Sequence, residues 1–194
     1  LDRGTIVAAL SDKDSRVFAA AIRLAEHFFA QTARDTELIA RVDALVAPRT
    51  EPDVRLQLAL TLGEAGTPAA DLALRQLAMA AGGQRFVADA IVSGLAGRED
   101  GFVETLAMNS AAAAQNADPI RFATSAILKS GDAARIERVL TLAAADDTPE
   151  WARTALLAGV RHYLPRTPDG RSVAAALPAE PKPLLALAAK KGSP

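Results

Sequence analysis

The sequence predicts an all-α chain, a right-handed α-solenoid of about five helical hairpins, on three observations. First, one apolar segment recurs, beginning at Val17, Val54, Val87, Ile120 and Ala152, spaced 37, 33, 33 and 32 residues apart. Such a period belongs to stacked helical repeats, where each unit hides its apolar flank against the next. Second, a small or apolar residue returns three or four places after each anchor, where a helix comes back to the same face. These are Ala20 and Ala21, Leu58, Ala90 and Ile91, Ala123, and Ala155 and Leu156. Third, the segments are rich in alanine, a strong helix former and a poor strand former, and no hairpin dipeptide separates alternating runs.

One stretch argues the other way. Val54, Leu56, Leu58, Leu60 and Leu62 alternate with Arg55, Gln57, Ala59 and Thr61, the pattern of a half-buried strand. Glu51-Pro52-Asp53 before it suits a helix start, and Gly63 and Gly66 after it suit a helix end. Its sister segments decide for a helix, one wedged between neighbouring hairpins and buried nearly all round.

In chain order, Gly4–Leu10 is expected as the last turns of a helix begun before the sequence given, which reads as a piece of a longer chain. Ser11–Asp14 makes a turn into an inner helix, Ser15–Phe29. Asp35–Val46 is an outer helix with Leu38, Ile39, Val42, Leu45 and Val46 on one side, and Pro48 and Pro52 bracket the turn after it. Thr67 caps and Pro68 starts the next outer helix, which runs to Ala81 and stops at Gly82-Gly83. Gln84–Ala96 is inner, Gly97–Gly101 a polar turn, and Phe102–Gln115 outer. Asp118-Pro119 starts the fourth inner helix, which ends near Ser130-Gly131. Asp132–Ala145 is outer, and Thr148-Pro149-Glu150 opens the fifth inner helix, which reaches Leu164. The repeat region is therefore 1–164. Residues 165–182 form a proline-rich connection with a turn at Asp169-Gly170, and 183–194 begin a further, truncated hairpin. Some apolar surface is expected to lie open at both ends.

Composition narrows the function. The chain has 194 residues, half of them apolar but only 4% aromatic, so alanine and leucine must fill the core and helices can approach closely. A formal charge of -1 argues against a dedicated nucleic-acid or anionic-membrane binder, which carries a basic excess. With no cysteine the chain has no disulfide, no thiolate metal site and no covalently attached c-type haem. No apolar run is long enough to span a bilayer.

The turns carry a further signal. Asp53-Val54-Arg55 and Asp118-Pro119-Ile120-Arg121 place an apolar residue and an arginine after an acidic or proline-bearing turn; Ala152-Arg153 keeps the arginine, while Phe18 and Ala88 break the pattern. The ankyrin signature does not follow Thr67-Pro68 or Thr148-Pro149, and the tetratricopeptide tryptophan and tyrosine occur only in the last hairpin. This turn and helix resemble short HEAT repeats, an armadillo-like superhelix. Val17–Glu26 (VFAAAIRLAE), Asp53–Gly63 (DVRLQLALTLG), Ala90–Leu95 (AIVSGL), Thr154–Val160 (TALLAGV) and Leu177–Pro181 (LPAEP) are together similar to one family of large secreted bacterial proteins. That family joins a sugar-dehydrogenase-like β-propeller, a HEAT-like middle region and a c-type cytochrome; Phe18 stands where it usually has arginine. The resemblance implies a periplasmic or extracellular spacer or docking platform. It would have no catalytic residue, cofactor or metal of its own, and its partners would be other domains of the parent chain or a separate protein. Two alternatives remain: a stand-alone HEAT-repeat module binding a protein, and a HEAT-like nucleic-acid or base-repair enzyme, against which the balanced charge weighs.

The candidate site residues are Arg55, Arg121 and Arg153, which share one offset in three repeats. Arginine forms several planar hydrogen bonds, so a structural ladder to turn carbonyls or to Asp53 and Asp118 outweighs a positive row facing a partner. His27 and His162 sit near helix ends and lack the spacing of a zinc motif. Glu99-Asp100 and Asp146-Asp147 fit turn and cap chemistry. Gly82-Gly83 lacks the setting of a phosphate loop, and Ser93 and Ser125 lack a histidine near in sequence. Trp151 and Tyr163 are expected to pack at the core or rim of the last inner helix.

Overall fold

The computed structural model describes residues 2–29, 35–47, 50–164 and 180–190, and among them all regular structure is helical. Contacts divide the chain into two compact units, Leu1–Ala96 and Gly97–Pro194.

The first unit contains α1 (Arg3–Ala9), α2 (Ser15–Phe29), α3 (Thr36–Asp43), α4 (Pro52–Ala65), α5 (Pro68–Ala81) and α6 (Val87–Gly94). Helix α2 packs on α4 and α4 on α6, so three helices follow one another in a row. Helix α3 lies against α5, both also touch α4, and α1 lies on α2. Phe18, Ile22, Leu58, Leu62, Leu74 and Ile91 are fully buried at these contacts. Burying an aliphatic or aromatic side chain of that size contributes ~1.5–3 kcal/mol, so this layer carries most of the unit's stability.

The second unit contains α7 (Glu99–Ala107), a 3₁₀ turn (Ser110–Ala112), α8 (Ala113–Ser130), α9 (Ala133–Ala144), α10 (Glu150–Tyr163) and α11 (Lys182–Lys190). Its largest contact is α8 with α10; α7 packs on α8 and α9, and α11 on α9.

Side-chain caps set several helix starts. Asp35 accepts from the Leu38 amide at 2.9 Å, Thr67 from that of Ala70 at 3.1 Å, and Asp132 from those of Ala134 and Arg135 at 3.0 and 3.1 Å. Each such cap is worth ~1 kcal/mol. Pro68 takes the first helical position, and Gly66 and Gly131 end α4 and α8 in the left-handed conformation.

The structure corrects several boundaries. Helix α1 occupies Arg3–Ala9, one residue earlier at its start than Gly4, and Asp2 caps it through the Gly4 and Thr5 amides at 3.3 and 2.8 Å. Helix α3 is shorter than Asp35–Val46, and α6 occupies Val87–Gly94 rather than Gln84–Ala96. Gly63 lies inside α4, and the helix ends at Gly66. Helix α4 is not buried all round, since Leu60 is 45% exposed.

The largest difference concerns 102–118. The outer helix stops at Ala107, and Asn116, fully buried, donates to the carbonyls of Leu106 and Asn109 at 3.2 and 3.4 Å. The chain then enters α8 at Ala113, so Asp118-Pro119 stands inside the helix instead of starting it. A proline removes one backbone bond and normally breaks a helix, but the alanines ahead of it have the propensity to extend one backwards. Of the proline-rich connection, Pro165, Pro168, Asp169-Gly170 and Pro178 lie outside the described residues, as do Pro48 and 191–194.

Candidate functional site

Arg55, Arg121 and Arg153 are each half-buried on α4, α8 and α10. Arg121 donates from Nε and Nη2 to Asp118 Oδ1 at 3.2 and 2.8 Å, and its guanidinium lies 4.2 Å from the centre of the Phe122 ring. Arg153 reaches the end of α9, where Nε and Nη2 donate to the carbonyls of Ala143 and Ala145 at 3.0 and 2.7 Å. Those carbonyls lack intrahelical partners, so the guanidinium caps α9. The described contacts of Arg121 and Arg153 thus hold their own chain.

Helices α2, α4 and α6 line a groove of about 440 Å³ bordered by Arg23, Glu26, Gln57, Leu60, Glu64 and Ser93. Its wall is built by Glu26, which accepts from Thr61 Oγ1 at 2.6 Å and from Gln57 Nε2 at 3.3 Å, and Gln57 also donates to Thr61 at 3.0 Å. This network satisfies the buried Thr61 hydroxyl and joins α2 to α4. Gly94 also lines the groove, and there α4 and α6 meet at Gly63 and Gly94. A Cβ on Gly63 would stand 2.6 Å from the Gly94 Cα, and one on Gly94 would stand 2.4 Å from the Gly63 Cα. Only glycine at both places allows the two backbones so close. Exposed Leu60 and the charged ends of Arg23 and Glu64 then border a surface of mixed polarity.

A second cluster, missed from sequence, lies at the start of α7. Glu99 is 5% exposed and pairs with Arg135 of α9; Asp100 takes the Arg135 Nε at 2.7 Å and also pairs with Arg138. Burial alone would raise the Asp100 carboxyl, but the bonds from Arg138 and Arg135 outweigh it and hold it below the ordinary carboxylate value. These acids therefore tie α7 to α9 instead of serving a turn. Arg3 makes a comparable tie in the first unit, pairing with Asp35 and, at 2.9 Å, with Glu37. The sequence did hold a clue: these ties and those of Glu26 join residues 31 to 38 apart, close to the repeat spacing.

None of these groups forms a reactive constellation. His27 and His162 are exposed in the last turns of α2 and α10, edge-on to Phe28 and Phe122. Trp151 donates to Ser110 at 3.3 Å. Among the described residues no His, Asp and Glu group has the arrangement of a metal site, and no helix is long and apolar enough to cross a membrane. Comparison with family models, curated proteins and solved structures finds no match for this chain.

Proposed function

We propose that the chain is a non-catalytic helical-repeat scaffold, its hairpins stacked as a HEAT-like α-solenoid, which binds a protein partner along the α2, α4 and α6 groove. The observation that carries this reading is the agreement of register with packing. Of the five residues that share one offset in the sequence, Val54, Val87, Ile120 and Ala152 are buried and Val17 is 44% exposed, and the helices that bear them pack in succession within each unit. The polar rim of the groove, with Leu60 exposed between Gln57 and Glu64, is suited to a polypeptide, where an apolar contact anchors and hydrogen bonds orient.

The resemblance to secreted propeller–cytochrome proteins supports a narrower version. In it the partner is another domain of a larger periplasmic or extracellular oxidoreductase, and this region sets their spacing. The full reading frame tests it. A β-propeller region on one side and a Cys-x-x-Cys-His on the other support this version; without both, the partner is a separate protein. Given those domains, titration calorimetry against this chain is expected to show binding that Leu60→Asp with Glu64→Arg weakens at least tenfold. Binding unchanged by that pair of substitutions overturns the groove assignment. Duplex DNA titrated at low and moderate salt is expected to show no tight, steeply salt-dependent binding, the behaviour of the nucleic-acid alternative.

A further inference from the structure

Where helices of this chain are tied through carboxylates, arginine answers most of them. Asp35 and Glu37 pair with Arg3, and Glu99 and Asp100 with Arg135 and Arg138. The groove of α2, α4 and α6 departs from that rule. Glu26, half-buried on α2, accepts from Thr61 Oγ1 and Gln57 Nε2, both neutral donors and both on its Oε1. They fix the carboxylate in place without cancelling its charge, and Oε2 keeps its capacity to accept. Among the described residues no cation pairs with Glu26, nor with Glu64, which is exposed on α4. Leu60, 45% exposed, lies one turn before Glu64 on the same helix. On the α2 border Arg23, one turn before Glu26, has no carboxylate partner among the described residues.

We propose that the polypeptide segment taken by this groove is basic: its arginine or lysine side chains pair with Glu26 and Glu64, beside an apolar side chain on Leu60, and an acidic residue meets Arg23. The proposal rests on the groove reading above and names the chemistry of the occupant. A guanidinium or ammonium donates charge-assisted hydrogen bonds to a carboxylate, and Glu26 is already held to receive one. A metal ion does not fit, since no His, Asp and Glu group among the described residues has the arrangement of a metal site. Exposed charge pairs add little affinity each, but opposite signs on the two sides of Leu60 select the partner and its direction. The whole chain carries a formal charge of only -1, so general attraction for polycations is weak and a basic preference must arise locally.

A random peptide library displayed on phage and selected on the full chain tests this. Enriched peptides are expected to carry arginine or lysine within a few positions of an apolar residue. Calorimetry with the most enriched peptide, made synthetically, is expected to show binding that weakens about threefold with Glu64→Gln and about tenfold when Glu26→Gln is added. Glutamine keeps an oxygen for the Thr61 hydroxyl, and circular dichroism checks that each variant stays helical. Glu64→Arg is expected to remove the basic preference from the selection, which a merely structural role would not do. Glu137→Gln, an exposed acid on α9 outside the groove, is expected to leave the affinity unchanged. Equal weakening there overturns the proposal, as do peptides enriched without basic residues, no enrichment at all, or basic peptides whose affinity ignores Glu26 and Glu64. Leu60→Ser, which removes the apolar anchor without adding charge, is expected to weaken binding about tenfold. If it does so while the glutamine variants change nothing, the groove reading stands and the basic occupant falls. If none of these variants changes binding, both fall.

Discussion

Arg135 shows what one side chain decides. It is the main partner of Glu99, a carboxylate almost removed from water, so truncating it strands a buried charge. Stranding a charge of this kind costs ~3–5 kcal/mol, and Arg135→Ala is expected to lower the denaturant midpoint accordingly. Arg138 is half in solvent, and Arg138→Ala should leave that midpoint nearly unchanged. The stabilising share of Asp100 is present above pH 3.8, its ordinary value, and is lost as pH falls through its lowered folded value. Asp43 has the opposite sign. It closes α3, where a negative charge opposes the helix dipole, and burial pushes its carboxyl up to about 6. Folding therefore tightens its proton: the cost is full above about pH 6 and vanishes below 3.8. Asp43→Asn is expected to stabilise the chain by ~1 kcal/mol at pH 7, allowing for partial solvation, and by nothing at pH 3.5. Urea titrations at the two pH values check it.

At the scale of elements, the helices owe their spacing to glycine where two backbones meet. Alanine is the better helix former by ~1 kcal/mol, so an isolated helix would gain from Gly63→Ala. Here the new methyl would meet the Gly94 Cα, a backbone atom that cannot turn aside. Overpacking of this kind costs ~1–3 kcal/mol, and Gly63→Ala is expected to lower the melting temperature despite its propensity. Gly159→Ala should behave alike, since its Cβ would stand 2.6 Å from both the Arg121 carbonyl oxygen and the Thr124 Cβ. The sequence places Gly94 and Gly159 at one offset but cannot show that Gly63 lies against Gly94, because contact between helices is not a property of either segment. Helix α8 gives the converse lesson. Local rules make Asp118-Pro119 a start, yet the buried Asn116 holds the carbonyls of Leu106 and Asn109, and the helix begins earlier.

Across the whole molecule, two units each enclose their own core. The first buries Phe18, Ile22, Leu58, Leu74 and Ile91 within residues 1–96, enough aliphatic surface to fold alone. The 1–96 segment is expected to give a helical circular dichroism spectrum and one cooperative thermal transition. A spectrum without helix, or a melt without a transition, would show that its core needs the second unit.

What the residues alone determine is the class of structure. Alanine-rich periodicity, capping aspartate and threonine, and prolines at helix starts are local properties, and they predict helices at Ser15–Phe29, Pro68–Ala81 and Asp132–Ala145, the last of which forms as Ala133–Ala144. The offsets of Arg121 and Arg153 are also legible, but not what they bind, since the α9 carbonyls that Arg153 caps are exposed only by how α9 ends. The pairing of Glu99 with Arg135, the Gly63–Gly94 approach and the open face at Val17 were decided by tertiary structure. Each depends on which surfaces meet across some thirty residues of chain, and propensity, which acts within a turn or two, does not reach that far.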